Sequence, residues 1–476
     1  MVNKIRLSIA KFAAKIASQV AKLGSGSGGN FPGHVFFKVA GQEALFDLSH
    51  EMKVGPILVT GTNGKTTTTT LLIKLLSHDT EIRKSFENNT INSITTGILK
   101  GKGDIGVFEY GIRNKTYGIP DTIQRLVDPI GVVYTTISRE HSQVAGIKNP
   151  FDEYVEAKTL LSKNMTKGIV ISNADDPLTA NIAINKQKDI KVNFYGLDID
   201  DIDDIFEGSN SLNCPNCGKK LEYSQKFLNH RGIYGCSCGF KRPELNVKLV
   251  DADFKTDEWD LTIEGELYNY TNNQDVSFNV VISVPPFGFH NIYNTLASIT
   301  AYASFTPRIE NIENTIRDIF NNLDMSFIPP GRFEVVKIDS NKYVGLGQGD
   351  NGDAARINAL FMDQYIDGPL EFIYTTPDVN EEEIFEDHLK VIKSLNPEHV
   401  IVVPGRKSIE KAEEYYNIIA EEFDAVFYPL SYEKMGERID KLVQLAQDSK
   451  YNYVIMTGCG EEQEMWENIK QKLIKR

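Results

Sequence analysis

The chain has 476 residues, 41% of them apolar, and a formal net charge of −14. That length implies two or three domains with ample apolar residues to fill their cores, and no apolar run approaches the ~18 residues of a membrane span. The acid excess excludes broad nucleic-acid binding, and five cysteines are too few to staple so long a chain, which fits a reducing, cytoplasmic compartment.

Residues 2–23 place Ile5, Ile9, Phe12, Ile16, Val20 and Leu23 at helical spacing, with Lys4, Arg6, Lys11, Lys15 and Lys22 among them and no acid. Lys11 and Lys15 interrupt the apolar stretch that a secretory signal needs. Two uses are open to such a basic amphipathic helix: peripheral contact with an anionic membrane surface, or, more commonly, covering a core of its own domain. Gly24 to Gly29 is a flexible glycine-serine loop, and Asn30 to Met52 completes a small N-terminal element.

The segment Val59-Thr-Gly-Thr-Asn-Gly-Lys-Thr-Thr-Thr68 joins the apolar run Pro56–Val59 to a Thr/Leu-rich stretch of helical character, which makes a strand, a turn and a helix. Gly61 and Gly64 let the backbone curl so that its N–H groups and the helix N-terminus face one anion, and Lys65 adds a full positive charge. A nucleoside triphosphate such as ATP is the expected guest, cradled by Gly61, Thr62, Asn63, Gly64, Lys65, Thr66 and Thr67. Thr66 carries a hydroxyl suited to a phosphate-bound Mg²⁺. The loop is shorter than G-x-x-x-x-G-K-T, because Val59 stands five positions before Gly64. Its compact G-T-N-G-K-T form resembles the ATP loop of Mur ligases and folylpolyglutamate synthetases.

Short apolar runs then alternate with helical stretches, as parallel strands with crossovers require. Ile105–Gly111 delivers Glu109 at a strand end, and Gly131–Ile137 delivers Ser138-Arg-Glu-His141. Ligands of α/β sheets collect at such ends, where a carboxylate and an imidazole can hold a metal between phosphates and substrate. A helix, Asp152–Leu161, contains Lys158, and the strand Gly168–Ser172 leads to Asn173-Ala-Asp-Asp-Pro177. The succession G-T-N-G-K-T, E-Y-G, S-R-E-H, Y-V-E-A-K and N-A-D-D-P resembles the central ATPase domain of the Mur peptide ligases. The resemblance implies nucleotide-side roles for Asn173 and Asp175. It also implies that Lys158 matches a lysine often carbamylated to help hold a second metal ion.

After a polar connection at residues 198–210, Cys214-Pro-Asn-Cys217 and Cys236-Ser-Cys238 supply four thiolates in two close pairs, a tetrahedral structural zinc site with no open position for water. The ribbon has a basic cast but few of the stacking aromatics that single strands require. C-P-N-C-G with H-R-G-I-Y-G-C-S-C-G-F-K-R-P resembles the zinc ribbon of MurT-like amidating subunits, which work with a glutaminase partner. Residues 246–284 alternate apolar and polar positions as strands do. Gly288-Phe-His-Asn-Ile-Tyr-Asn294 resembles the Mur helix start whose side chains, here His290, Asn291 and Asn294, lie near the base, and Gly331-Arg332-Phe-Glu334 resembles the hinge element whose Arg meets the phosphates. Beyond it, apolar runs separated by charged helices form a small Rossmann-like domain. Its Gly345–Gly352 stands where these families carry D-Y-A-H-N-P or K-N-P-A-G and matches neither, and Cys459 is expected to be packed.

The resemblance implies a three-domain α/β fold of the Mur ligase type: residues 1–54 as an N-terminal helix and small domain, 55–328 as a central P-loop ATPase domain with a zinc-ribbon insert at about 211–243, and 329–476 as a Rossmann-like domain. It implies ATP, Mg²⁺ and Zn²⁺, with Thr66 and Glu109 on a first metal and His141 and Lys158 on a second. The expected partners are a nucleotide- or lipid-linked cell-wall peptide precursor and an amino acid, or ammonia from a glutaminase subunit. MurT-like proteins lack the His and Lys matched by His141 and Lys158. Keeping both alongside the ribbon resembles the archaeal pseudomurein peptide ligases, the favoured reading. Folate polyglutamylation and a P-loop regulatory or nucleic-acid-binding protein with a ribbon rank below both.

Overall fold

The structure, a computed structural model, describes residues 4–23, 30–85, 90–112, 114–116, 118–138, 150–186, 189–199, 212–255, 258–323, 331–363, 365–460 and 463–474. His141 therefore lies outside the described residues, and none of the described helices is long and apolar enough to cross a membrane.

Three helices open the chain: α1 (Lys4–Leu23), α2 (Phe31–Ala40) and α3 (Ala44–Ser49). Their buried residues, among them Ala10, Ala14, Phe36, Leu45 and Leu48, pack in one cluster with Leu58, Ile94, Phe108 and Tyr134 of the following domain. They cover one face of the next sheet and enclose no separate core. The large apolar stripe of α1 does not do the covering. Ala10, Ala14 and Ala17 face inward, while Ile9, Phe12, Ile16 and Val20 stay 55%, 66%, 47% and 56% exposed. The commoner use of an amphipathic helix thus fails for this stripe, because the small alanine face is the one that fits against α2.

The central region runs β1 (Gly55–Thr60), α4 (Lys65–Asp79), β2 (Ile82–Ser85), α5 (Ile91–Lys100), β3 (Ile105–Glu109), α6 (Pro120–Val127), β4 (Gly131–Tyr134), α7 (Pro150–Lys163), β5 (Ile169–Asn173), α8 (Pro177–Ile184) and β6 (Lys191–Leu197). A hairpin, β7 (Glu222–Lys226) and β8 (Gly232–Gly235), precedes β9 (Val247–Phe254), β10 (Trp259–Asn269), β11 (Gln274–Val284), α9 (Phe289–Phe305) and α10 (Ile312–Asn321). Among the described residues the sheet order is β11-β10-β9-β6-β5-β4-β1-β3-β2. The strands from β2 through β6 to β9 are parallel, and β10 and β11 add an antiparallel edge. Strands β1, β3, β4 and β5 are buried along their whole length, as strands covered on both faces must be, and so read as unbroken apolar runs. Since β3 and β4 flank β1 on opposite sides, the chain reverses its winding there, and a crevice opens above the carboxyl end of β1.

The last region alternates β12 (Glu334–Lys337), β13 (Tyr343–Gln348), α11 (Gly352–Asp363), β14 (Leu370–Thr376), α12 (Glu382–Leu395), β15 (His399–Pro404), α13 (Ile409–Ala420), β16 (Ala425–Phe427), α14 (Met435–Asp448), β17 (Tyr453–Gly458) and α15 (Gln463–Ile474). Its sheet, in the order β12-β13-β17-β14-β15-β16, is parallel except for the β12–β13 pair. The carboxyl end of β13 and the start of α11 face the crevice over β1.

Candidate active site

The loop between β1 and α4 is held from below. Thr62 donates its N–H to the Thr136 carbonyl at 2.7 Å, and Thr135 Oγ1 donates to the Asn63 carbonyl at 2.6 Å. The loop approaches β4 so closely that a Cβ on Gly61 would stand 1.9 Å from Thr135 Oγ1. Gly64 has φ +82°, the left-handed conformation that a side chain resists, and a Cβ there would stand 2.1 Å from Asn294 Oδ1. Immediately afterwards α4 begins, and a helix start leaves its first N–H groups without intrahelical partners. Lys65 Nζ donates to the carbonyls of Gly61 at 3.0 Å and Thr62 at 2.6 Å. The glycine turn and the start of α4 thus form a cradle that fits a phosphate, with the Lys65 ammonium folded back on the loop's own carbonyls. Gly64→Ala is expected to lose about 1–2 kcal/mol of stability from the backbone alone and to weaken nucleotide binding at least ~tenfold by displacing Asn294. Denaturant titration and a nucleotide titration check both, and parent-like affinity would show that the loop is no anion cradle.

Glu109 ends β3 directly beside Val59, and its side chain is buried with Oε2 lacking any hydrogen-bond partner among the described residues. A buried carboxylate oxygen left open beside a phosphate cradle fits a divalent cation. Lys158 is wholly buried on α7, with Nζ donating to the Gly61 carbonyl at 3.0 Å and lying 4.4 Å from the Tyr154 ring centre. Two ammonium groups, those of Lys65 and Lys158, therefore share one loop carbonyl.

The cleft above the loop is lined by Asn63, Gly64, Thr66 and Thr67, by Thr135 and Thr136, and by His290, Asn291, Tyr293 and Asn294 of α9. Arg332, Phe333, Gln348, Ala354, Ile357 and Asn358 close it from the last region. Asn351 Nδ2 reaches Asn63 Oδ1 at 3.4 Å. Burial, with the charges of Arg332 and Arg231, holds His290 down at about 3, so a neutral imidazole faces the cleft at pH 7. The segment Gly345–Gly352, which matches neither expected motif, leads into the residues that close the cleft.

Residues 59–230 match the family model of the Mur ligase middle domain. This part of the chain is similar to that domain. The MurT subunit of lipid II isoglutaminyl synthase (glutamine-hydrolyzing) from Staphylococcus aureus strain N315 is 27% identical over 316 residues, 65% of this chain and 64% of that protein. The chain thus spans just under two thirds of the curated relative's length. A pseudomurein peptide ligase type C from Methanothermus fervidus superposes on 90% of this chain and 80% of its own, with a TM-score of 0.65 and 25% identity. MurF from Acinetobacter baumannii shares the fold at a TM-score of 0.57 and 15% identity, over 94% of this chain and 80% of its own.

The four-cysteine ribbon straddles the end of the Mur ligase middle domain match. The Sγ atoms of Cys214, Cys217, Cys236 and Cys238 lie within 4.8 Å of one another, with Cys214–Cys238 at 3.6 Å and Cys217–Cys236 at 3.5 Å. Zinc bonds of about 2.3 Å in a tetrahedron require sulfurs about 3.8 Å apart, so the cluster fits that ion. Asn173 and Asp175 are not among the cleft-lining residues, against the expectation for the N-A-D-D-P tip. Asn173 Oδ1 accepts the Asp175 N–H at 3.0 Å. Asp175, fully buried, accepts from Arg242 of the ribbon at 2.6 Å and from Tyr293 at 2.9 Å. Asp176 caps α8 and faces His230 at 3.4 Å. The tip thus anchors the ribbon to the carboxyl end of β5. Between those anchors Arg231, which sequence reasoning counted only as part of a basic surface, is buried in the cleft, donating to Thr136 Oγ1 at 3.3 Å above the Tyr293 ring. Its sequence signal was its position, five residues before the second cysteine pair opens.

Proposed function

We propose that the protein is an ATP-dependent carbon–nitrogen ligase that adds an amino acid to a cell-wall peptide precursor of the pseudomurein type. The observation that carries this reading is the open carboxylate oxygen of Glu109 beside a loop fit for phosphate, with buried Lys158 of α7 bonded to that loop. The γ-phosphoryl group passes from ATP to a carboxylate oxygen of the precursor and ADP leaves. The amine nitrogen then attacks the acyl phosphate, phosphate departs, and the nitrogen loses a proton to give the amide. Lys65, released from the Gly61 and Thr62 carbonyls, would meet the transferred group, while Arg332 and Arg231 would bind the rest of the nucleotide's charge. Thr66 and Glu109 would hold Mg²⁺, which supplies charge neutralisation at the phosphates. His141 and a carbamylated Lys158 would hold a second cation, and zinc would sit in the ribbon as a structural ion.

A second reading has its own support, since curated relatives over 65% of the chain are MurT subunits. In it the chain amidates a glutamate of a lipid-linked precursor with ammonia from a glutaminase. The two separate at Lys158. If the first holds, purified protein with ATP releases phosphate in response to an amino acid and responds to bicarbonate, because carbamylation turns a cation into an anionic ligand. Lys158→Ala then loses most activity, and small carboxylates restore part of it, which a lysine serving only to hold Gly61 would not allow. Ammonia-dependent amidation, with Lys158→Ala indistinguishable from the parent, would promote the second reading.

A further inference from the structure

Helix α1 has two faces of different character. On one, Ala10, Ala14 and Ala17 pack into the protein. On the other, Ile9, Phe12, Ile16 and Val20, with Ile5 at the start, form a stripe that stands in solvent, with Ile5 and Phe12 70% and 66% exposed. At about 100° per residue these five fall within an arc of about 80°, along a helix of about 30 Å. Lys4, Lys11, Lys15 and Lys22 recur at seven- and four-residue spacing along one flank of that arc, and Arg6 stands on the other. Lys4, Arg6 and Lys15 are exposed, and Lys11 contacts Glu51 at the foot of the helix. Arg6 also donates from Nε to the Val39 carbonyl at 2.7 Å, fixing the helix to α2. The helix contains no acid, although the whole chain carries a net charge of −14.

We infer that α1 docks this protein on an anionic lipid surface. The apolar stripe would enter the boundary between headgroups and acyl chains, and the lysines would reach the headgroups along their own methylene stems. Charge decides among the occupants. A second copy would bring lysine row against lysine row with no acid in either helix to pair with them. An anionic bilayer complements the exposed Lys4, Arg6 and Lys15 on the stripe's flanks at once. The acidic remainder of the chain is repelled by the same surface, which leaves α1 as the point of contact. This inference stands apart from the ligase reading, since it uses no residue of the cleft.

The test is flotation of the full-length protein with vesicles of equal parts phosphatidylglycerol and phosphatidylcholine, and with phosphatidylcholine alone. Binding is expected to the first, with a partition coefficient at least ~tenfold below it on the second or in 0.5 M salt. The doubles Ile9→Asp with Phe12→Asp and Lys4→Gln with Lys15→Gln are each expected to lower it at least ~tenfold. Every side chain changed is exposed, so unchanged melting and ATP turnover would exclude misfolding as the cause. Failure to float, equal binding to neutral vesicles, or parent-like binding by the Asp double would overturn the inference. A dimer in solution that the Asp double dissociates, without vesicle binding, would assign the stripe to a second copy instead.

Discussion

Replacing Lys65 with alanine is expected to lower ATP turnover by at least about 10²–10³-fold while leaving the fold intact. The side chain's described contacts are the carbonyls of Gly61 and Thr62, so its removal opens no cavity in the core. Its charge would act on the phosphate, while Lys158 is wholly buried on α7 with Nζ on the Gly61 carbonyl. Phosphate release at saturating ATP measures the loss, and thermal melting measures the fold. Turnover equal to the parent's would remove the loop from the chemistry.

The second large effect concerns the four cysteines. Metal analysis of purified protein should find one tightly held zinc per chain, and Cys236→Ser should lose it, since structural sites bind with ~10–16 kcal/mol. The consequence extends beyond the ribbon, because His230, Arg231 and Arg242 reach from it into the body of the protein. Loss of zinc should therefore weaken nucleotide binding by about 10–100-fold, the worth of one charge-assisted hydrogen bond of ~1.5–3 kcal/mol. Arg231→Ala should do the same with the metal retained. Four freely titrating thiols in the native protein would refute the zinc site, and unaltered nucleotide affinity in both variants would refute its link to the cleft.

The parts of the cleft legible in the sequence are those that local chain geometry decides. Gly61, Gly64 and Lys65 lie in one turn, and Glu109 lies at the end of an apolar run that could only be a strand. What the sequence left undecided depends on contacts between distant segments. The ribbon reads as a self-contained unit because its cysteines are close in sequence, yet His230 and Arg242, on either side of Arg231, pair with Asp176 and Asp175 more than 50 positions earlier. Helix α1 carries both an isoleucine stripe and an alanine face at helical period. Which one turns inward depends on how closely α2 can approach, and periodicity holds no information about that. Asn173 and Asp175 sit in a motif that resembles the Mur ligases' own, but Asp175 is taken up by Arg242 of the insert and by Tyr293 of the cleft wall.

The anchoring of the ribbon also restricts how such a chain can change over generations. Excising residues 212–243 would leave Asp175 without its guanidinium and Asp176 without its imidazole, both fully buried. Removing one partner of a buried ion pair costs up to about 3–5 kcal/mol, offset here by the donors each aspartate keeps, Tyr293 and the Leu197 N–H on Asp175, and Thr136 and the Ile137 N–H on Asp176. A single deletion of the insert would therefore carry a stability cost at the tip of β5. Neutralising both aspartates first would lower that cost, so the insert and the tip of β5 are coupled in what substitutions each tolerates.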